Sequence, residues 1–210
     1  CLSRNTNLDA LKAIYVIANH VTSAHEMIAK SFCESRDNVH LVPCSPRGLV
    51  PAVMMVVDKI LEVHRQDLIV KIDEDVFVTP GWLDALLRTH VVHRRREDVL
   101  FSSALCPVST TGYEFVLPVM AEACPELHRK FASCRVHLNR NKYLHRYVWE
   151  AVVSDNLEEK IQDYYSQEHL YSSRIVINCI LFDERLISDI HPLPTEKDPK
   201  PAWPAWTNWT

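Results

Sequence analysis

The sequence contains little glycine, with only Gly48, Gly81 and Gly112 among 210 residues. Their positions fit neither a P-loop nor a GxGxxG fingerprint. Nucleotide binding through a glycine-rich loop of either kind is therefore excluded, and a nucleotide site here would need another device. The 7 cysteines include no CxxC pair and the 11 histidines no HExxH motif, so neither residue type has a common zinc-ligand spacing. His90 and His93 precede three arginines, which predicts a solvated helix end.

Long apolar runs are also missing. No stretch of about 18 consecutive apolar residues and no signal peptide is present, so we expect no transmembrane segment in this stretch. The scattered cysteines favour reduced thiols, and together these features predict a cytoplasmic protein. The net charge of −4 argues against nucleic acid as a partner.

Hydrophobic residues make up 47% of the chain, which is enough for a sizeable core. Residues 1–6 have the pattern of a strand end and a turn. Further on, strands alternate with helices, which predicts βαβ units and a parallel sheet. The predicted strands lie at residues 13–18, 38–42, 68–72, 99–105 and 175–182, and the predicted helices at residues 7–12, 22–35, 49–63, 80–90, 125–132 and 144–167. The apolar spacing of residues 13–18 would also suit one helix continuous with residues 7–12.

An acidic triplet, Asp-Glu-Asp at residues 73–75, follows the apolar strand at 68–72. A buried strand that ends in three carboxylates is costly unless the charges meet water, a cation or a basic ligand. In extended backbone Asp73 and Asp75 point the same way, which predicts that they share one divalent cation. A solvated turn is the alternative interpretation. Thr79 and Pro80 then predict the cap and first position of a helix.

This order of parts resembles a GT-A-fold glycosyltransferase of the family-2 type. Lys71-Ile72-Asp73-Glu74-Asp75 is similar to the DxD motif of that family, and Pro80-Gly81-Trp82-Leu83 stands where the next helix usually begins. The resemblance implies an α/β fold with a mostly parallel, Rossmann-like sheet and helices on both faces. It also implies a single domain over residues 1–210, in which 1–105 bind a nucleotide-sugar and 106–210 form the acceptor side and a tail.

The resemblance implies a role for each matching residue. Asp73 and Asp75 would bind Mn²⁺ or Mg²⁺, with Asp75 the more direct ligand. The nucleotide-sugar would be contacted by Arg4, Asn19, Arg47, Gly48 and Asp73. Two departures stand out: Pro46 occupies the position of an asparagine, and Asn19 that of an aspartate that reads the base. Lys71 is open to a structural or a functional role.

The resemblance implies a catalytic base after the last strand and turn, which here would be residues 175–190. Glu196 and Asp198 are the preferred candidates on spacing, with Asp183, Glu184 and Asp189 as alternatives. His191 is either a further metal ligand or a loop residue.

The resemblance implies a metal-dependent glycosyltransferase that moves a sugar from a nucleotide-sugar donor to a glycan or other hydroxyl acceptor, and inversion is implied by the family likeness alone. A sugar nucleotidyltransferase is one alternative, although the scarcity of glycine argues against its glycine-rich loop. The other is a non-catalytic binding domain on the same fold.

Overall fold

The computed structural model describes residues 2–19, 21–44, 49–64, 68–106, 110–123, 125, 128, 129, 142–154, 157–165, 171 and 178–190. They form a mixed α/β structure, as predicted, and no helix among them is long and apolar enough to cross a membrane. The helices are α1 (Leu2–Asn5), α2 (Ser23–Glu34), α3 (Leu49–Val63), α4 (Trp82–His93), α5 (Thr110–Ala123), α6 (Lys142–Ser154), α7 (Leu157–Tyr165) and α8 (Glu184–Ile190). The strands are β1 (Ile14–Asn19), β2 (Val39–Cys44), β3 (Ile69–Ile72), β4 (Phe101–Ser103) and β5 (Cys179–Phe182).

The described strands form two small sheets. β1 and β2 pair in parallel, with Ile14 opposite Val39 and Asn19 opposite Cys44, and α2 connects them as a βαβ unit. The other sheet has the order β3-β5-β4, and β4 and β5 are antiparallel. The expected single, mostly parallel sheet is therefore not found in the described part of the chain. A continuous apolar run such as β5 predicts burial on both faces, but it specifies neither the strand's direction nor its neighbours.

The chain divides into two compact units. The first unit comprises Cys1–Ile69, Phe77–Asp84 and Asp183–Asp189. Thr22 caps α2 by accepting a hydrogen bond from the backbone N–H of His25 (3.4 Å). Among the described residues of this unit, buried apolar side chains come from β1, β2, α3, the first residue of β3, α8 and connecting segments: Leu8, Ala18, Val39, Ala52, Val56, Val57, Ile69, Val78 and Leu186.

The second unit comprises Val70–Val76, Ala85–Phe182 and Ile190–Thr210. Three helices, α5 to α7, supply one of its apolar clusters, which contains Tyr113, Val116, Val119, Met120, Val148 and Leu157. The hydroxyl of Tyr165 donates to the carbonyl oxygen of Phe115 (2.9 Å) and so ties α7 to α5. The sequence did not predict α5, which contains Pro118 inside the helix.

The N-terminal residues were predicted wrongly as a strand end, since residues 2–5 form the single turn α1. Long-range side-chain contacts hold this segment in place. The side-chain amide of Asn5 donates to the carbonyl oxygen of Val78 (2.7 Å), and the indole N–H of Trp82 donates to Thr6 Oγ1 (2.9 Å). A local pattern cannot report such contacts, because they join residues more than 70 positions apart.

The helix after the acidic triplet begins later than predicted. Gly81 has a φ of 76°, in the left-handed region that glycine tolerates and other residues rarely adopt. Pro80 and Gly81 therefore form a turn, and α4 begins at Trp82 rather than at Pro80.

The α3 helix provides a test of the first unit's core, because it carries a buried and an exposed valine. Val56 is 2% exposed and Val63 is 69% exposed. We expect Val56→Ala to lower the free energy of unfolding by about 2 kcal/mol, through lost burial and a residual cavity. The matched change Val63→Ala is expected to stay within about 0.5 kcal/mol of the native protein. Urea denaturation measures both, and equal effects would contradict this packing of α3.

Candidate functional site

The carboxylate of Asp73, directly after β3, is held on both of its oxygens. Lys71 Nζ forms an ion pair with Oδ1, and the side-chain amide of Asn178 donates to Oδ2 (3.0 Å). The backbone N–H of Asp73 also donates to the carbonyl oxygen of Asn178 (2.8 Å). β3 and β5 are neighbours in the sheet, and this explains how residues 105 positions apart meet. Asp73 is therefore fixed by the sheet itself.

The residues after Asp73 form a turn. The N–H of Val76 donates to the carbonyl oxygen of Asp73 (3.2 Å), with Glu74 and Asp75 as the central residues. The expectation that Asp73 and Asp75 point the same way in extended backbone is therefore wrong in its premise. Both Glu74 and Asp75 are exposed, as the solvated-turn interpretation predicted. The turn thus presents two solvent-facing carboxylates beside one that is partly buried.

The charges of this acidic turn, which we define as residues 73–76, are unequally shielded. The side chains of Lys71 and Asp73 are 15% and 17% exposed, so their ion pair is largely removed from water. An ammonium and a carboxylate cancel, and Asp73 therefore contributes little net charge outward. The negative charge that faces solvent comes from Glu74 and Asp75.

The donor set fits a hard divalent cation in a limited way. Mg²⁺ is commonly bound by one or two carboxylates together with water and substrate phosphates. Asp75 is exposed and would be one carboxylate ligand. Asp73 would be a second carboxylate ligand once the Lys71 ammonium has moved away from Oδ1. No group of three or more His, Cys, Asp or Glu side chains that could hold a metal occurs among the described residues. The remaining ligands would therefore be phosphate oxygens and water.

A buried thiol lies close to this ion pair. Cys179, at the start of β5, is 3% exposed, and burial raises its pKa from the ordinary 9.0 to about 11. The positive charge of Lys71 acts in the opposite direction, and the negative charges of Cys106 and Asp73 add to the increase. Its carbonyl oxygen accepts from the N–H of Ala104 (3.2 Å) and from Ser103 Oγ (3.2 Å). The strand beneath the acidic turn is thus firmly bonded to its neighbour.

Two residues predicted to bind the nucleotide-sugar lie in the first unit. Arg4 is exposed on α1, which Asn5 anchors to Val78. Asn19 is the last residue of β1, opposite Cys44 of β2. This is the carboxyl end of a parallel strand pair, where ligands bind in open α/β sheets.

Several predicted site residues lie outside the described part of the chain. They are Arg47, Gly48, His191, Glu196 and Asp198. Their roles therefore stay predictions.

The alternative catalytic bases differ in their surroundings. Asp183 is 4% exposed, accepts from the N–H of Arg185 (3.0 Å), and is bound by Arg185 Nε at both oxygens (3.0 and 3.2 Å). This carboxylate stabilises the start of α8 and is not poised to take a proton from an acceptor. Glu184 is exposed, and the side chain of Asp189 lies outside what the structure describes.

Sequence reasoning missed two polar residues that the fold uses, Asn178 and His90, and left the role of Lys71 open. Asn178 is the one polar side chain in an otherwise apolar predicted strand. A buried amide usually has a hydrogen-bond partner, and this was the signal that the sequence offered. Lys71 is two residues before Asp73, a spacing that places both on one strand face. His90, predicted to be solvated, is fully buried and hydrogen-bonded to Ser102 Oγ through Nδ1 (3.2 Å).

Comparison with known proteins gives no relative from which the role of these residues can be inferred. No protein-family model matches the chain, and neither a curated protein nor a solved structure is significantly similar to it.

The raised pKa of Cys179 predicts that its thiol reacts slowly with alkylating reagents. At pH 8 we expect iodoacetamide to alkylate Cys179 at least about 100-fold more slowly than a free thiol, because the thiolate is scarce and shielded. The sign of the shift means that the thiolate fraction keeps increasing from pH 9 towards pH 11, where an ordinary thiol is already ionised. Peptide mass spectrometry measures the rate, and the guanidinium-unfolded protein is the control. Equal rates in the native and unfolded chains would contradict this environment.

Proposed function

We propose that the chain is a metal-dependent glycosyltransferase that takes a sugar from a nucleotide-sugar and transfers it to a glycan or other hydroxyl acceptor. The observation that carries the proposal is the acidic turn, in which a fixed carboxylate, Asp73, lies two residues before an exposed one, Asp75. Its placement at the end of a strand and before a helix is what the resemblance to GT-A enzymes implies. The finer features, a GT-A sheet with helices on both faces and a cytoplasmic location, remain part of the proposal.

The chemistry explains why carboxylates are placed here. The oxygen of an acceptor hydroxyl forms a bond to the anomeric carbon as the bond to the diphosphate breaks, and the diphosphate leaves with the bonding electrons. The hydroxyl proton passes to a general base, for which Glu196 and Asp198 are the predicted candidates. When bound, Mn²⁺ or Mg²⁺ supplies electrostatic stabilisation of that leaving group.

Asp75 would hold the cation most directly, and Asp73, oriented by Asn178, would be the second carboxylate ligand and would contact the nucleotide-sugar. Arg4 and Asn19 are proposed to contact the nucleotide.

The alternatives differ in what they do with a bound nucleotide. A non-catalytic binding domain would bind a nucleotide without hydrolysing or transferring its sugar. A sugar nucleotidyltransferase would release pyrophosphate from a nucleoside triphosphate and a sugar phosphate. No described contact favours either alternative over glycosyl transfer.

Calorimetric titration with UDP, GDP and dTDP, with and without Mn²⁺, tests the proposal. We expect one nucleotide to bind only with Mn²⁺, and Asp75→Asn to weaken that binding at least about tenfold through loss of a charged ligand. Glu74→Gln is the matched control, since it removes one negative charge from the adjacent exposed residue and should change the affinity less than about threefold.

The result that would contradict the proposal is no nucleotide binding under any of these conditions. Equal losses of nucleotide affinity in Asp75→Asn and Glu74→Gln would also count against it, because they would show that only the net negative charge of the turn matters. Release of free sugar from the donor that binds would distinguish a transferase from a binding domain.

A further inference from the structure

A positive charge lies directly beside the acidic turn. Lys71 Nζ forms an ion pair with Asp73 Oδ1, the oxygen that Asn178 leaves open. The two side chains are only 15% and 17% exposed, so water weakens their attraction less than it would at the surface. A carboxylate in this state is neutralised before any cation arrives.

We infer that Lys71 competes with the divalent cation for Asp73. The lysine is a resident counter-ion, and the metal must displace it before Asp73 becomes a ligand. Asn178 keeps its hydrogen bond to Oδ2 in both states, so the carboxylate stays oriented while its partner at Oδ1 changes. This inference rests on the proposed function, because it requires the metal to bind at the acidic turn.

The covalent geometry favours such an exchange. Lys71 is two residues before Asp73, so both side chains leave the same face of the chain at the end of β3. The ammonium is therefore tethered beside the carboxylate and returns to it at high effective concentration when the metal leaves. Its four-carbon stem is flexible and its charge is readily hydrated, so it can move into water when displaced. A divalent ion attracts the same oxygen twice as strongly at equal distance.

The inference predicts an effect of unusual sign: removal of the lysine should strengthen metal binding. A lysine that only stabilises the fold would have the opposite effect or none, because its loss would loosen the turn. The measurement is direct titration of the protein with Mn²⁺ alone, with the free ion followed by its electron paramagnetic resonance signal.

We expect Lys71→Met to tighten Mn²⁺ binding about tenfold, the change that corresponds to releasing one charge-assisted hydrogen bond. Lys160→Met is the matched control. Lys160 is exposed on α7 in the same compact unit, and its replacement changes the net charge equally. That control should shift the affinity less than about twofold, because salt screens distant exposed charges.

A double-mutant cycle localises the effect. Lys71→Met should bring no gain in a protein that already carries Asp73→Asn, because the lysine acts through that carboxylate. An equal increase in Mn²⁺ affinity in both backgrounds would overturn the inference. It would show that the charge of Lys71 acts on a metal bound at Asp75 and not through Asp73.

The native protein supplies a second test that does not depend on a stable variant. Acetic anhydride labels free amines, and we expect saturating Mn²⁺ to increase acetylation of Lys71 several-fold because the metal releases its ammonium. Lys160 should be labelled equally with and without the metal. Unchanged or reduced labelling of Lys71 under saturating Mn²⁺ would overturn the inference.

The two proposals fail in different ways. If native protein binds a nucleotide with Mn²⁺ but Lys71→Met binds Mn²⁺ no more tightly, competition is wrong and the proposed function stands. If neither protein binds Mn²⁺ in the absence or presence of UDP, GDP or dTDP, the proposed function itself is wrong.

Discussion

The neutralisation of Asp73 is the constraint on which the end of β3 depends. A carboxylate that is largely removed from water is strongly destabilising unless it is paired and hydrogen-bonded, and Asp73 has an ammonium on one oxygen and an amide on the other. The amide contact and the backbone hydrogen bond from the Asp73 N–H to the Asn178 carbonyl oxygen join the end of β3 to the residue before β5. The fold can thus place a charged residue at the edge of its apolar strands and leave Glu74 and Asp75 in solvent.

Where structure follows from local periodicity, the sequence predicted it well. The bounds of α3 agree with the apolar spacing over residues 49–63, and the Thr22 cap marked the start of α2 correctly. Errors occurred where a single residue overrides the pattern. Gly81, with its positive φ, moves the start of α4, and Pro118 concealed a helix that packing against α7 stabilises.

The candidate site was predictable only in part, for a physical reason. The carboxylates are visible as an acidic triplet, because charge after an apolar strand is unusual. Their partners are not visible: the contact of Asp73 with Asn178 spans 105 positions, and no local pattern assigns an amide to a distant carboxylate. The burial of His90 against Ser102 was not predicted. A histidine close to several arginines in the sequence suggests an exposed helix end as long as its tertiary neighbours are unknown.

The order β3-β5-β4 also has a meaning for how the second unit assembles. Its middle strand is the last of the three along the chain, so β3 and β4 cannot be bridged until residues 179–182 have been synthesised. The entropy of closing a loop of about 100 residues must be overcome before these contacts stabilise anything, and a high contact order of this kind slows folding. During synthesis, Asp73 would therefore lack its contacts with Asn178 until that residue has been added to the chain, and its carboxylate would be oriented only as the second unit closes.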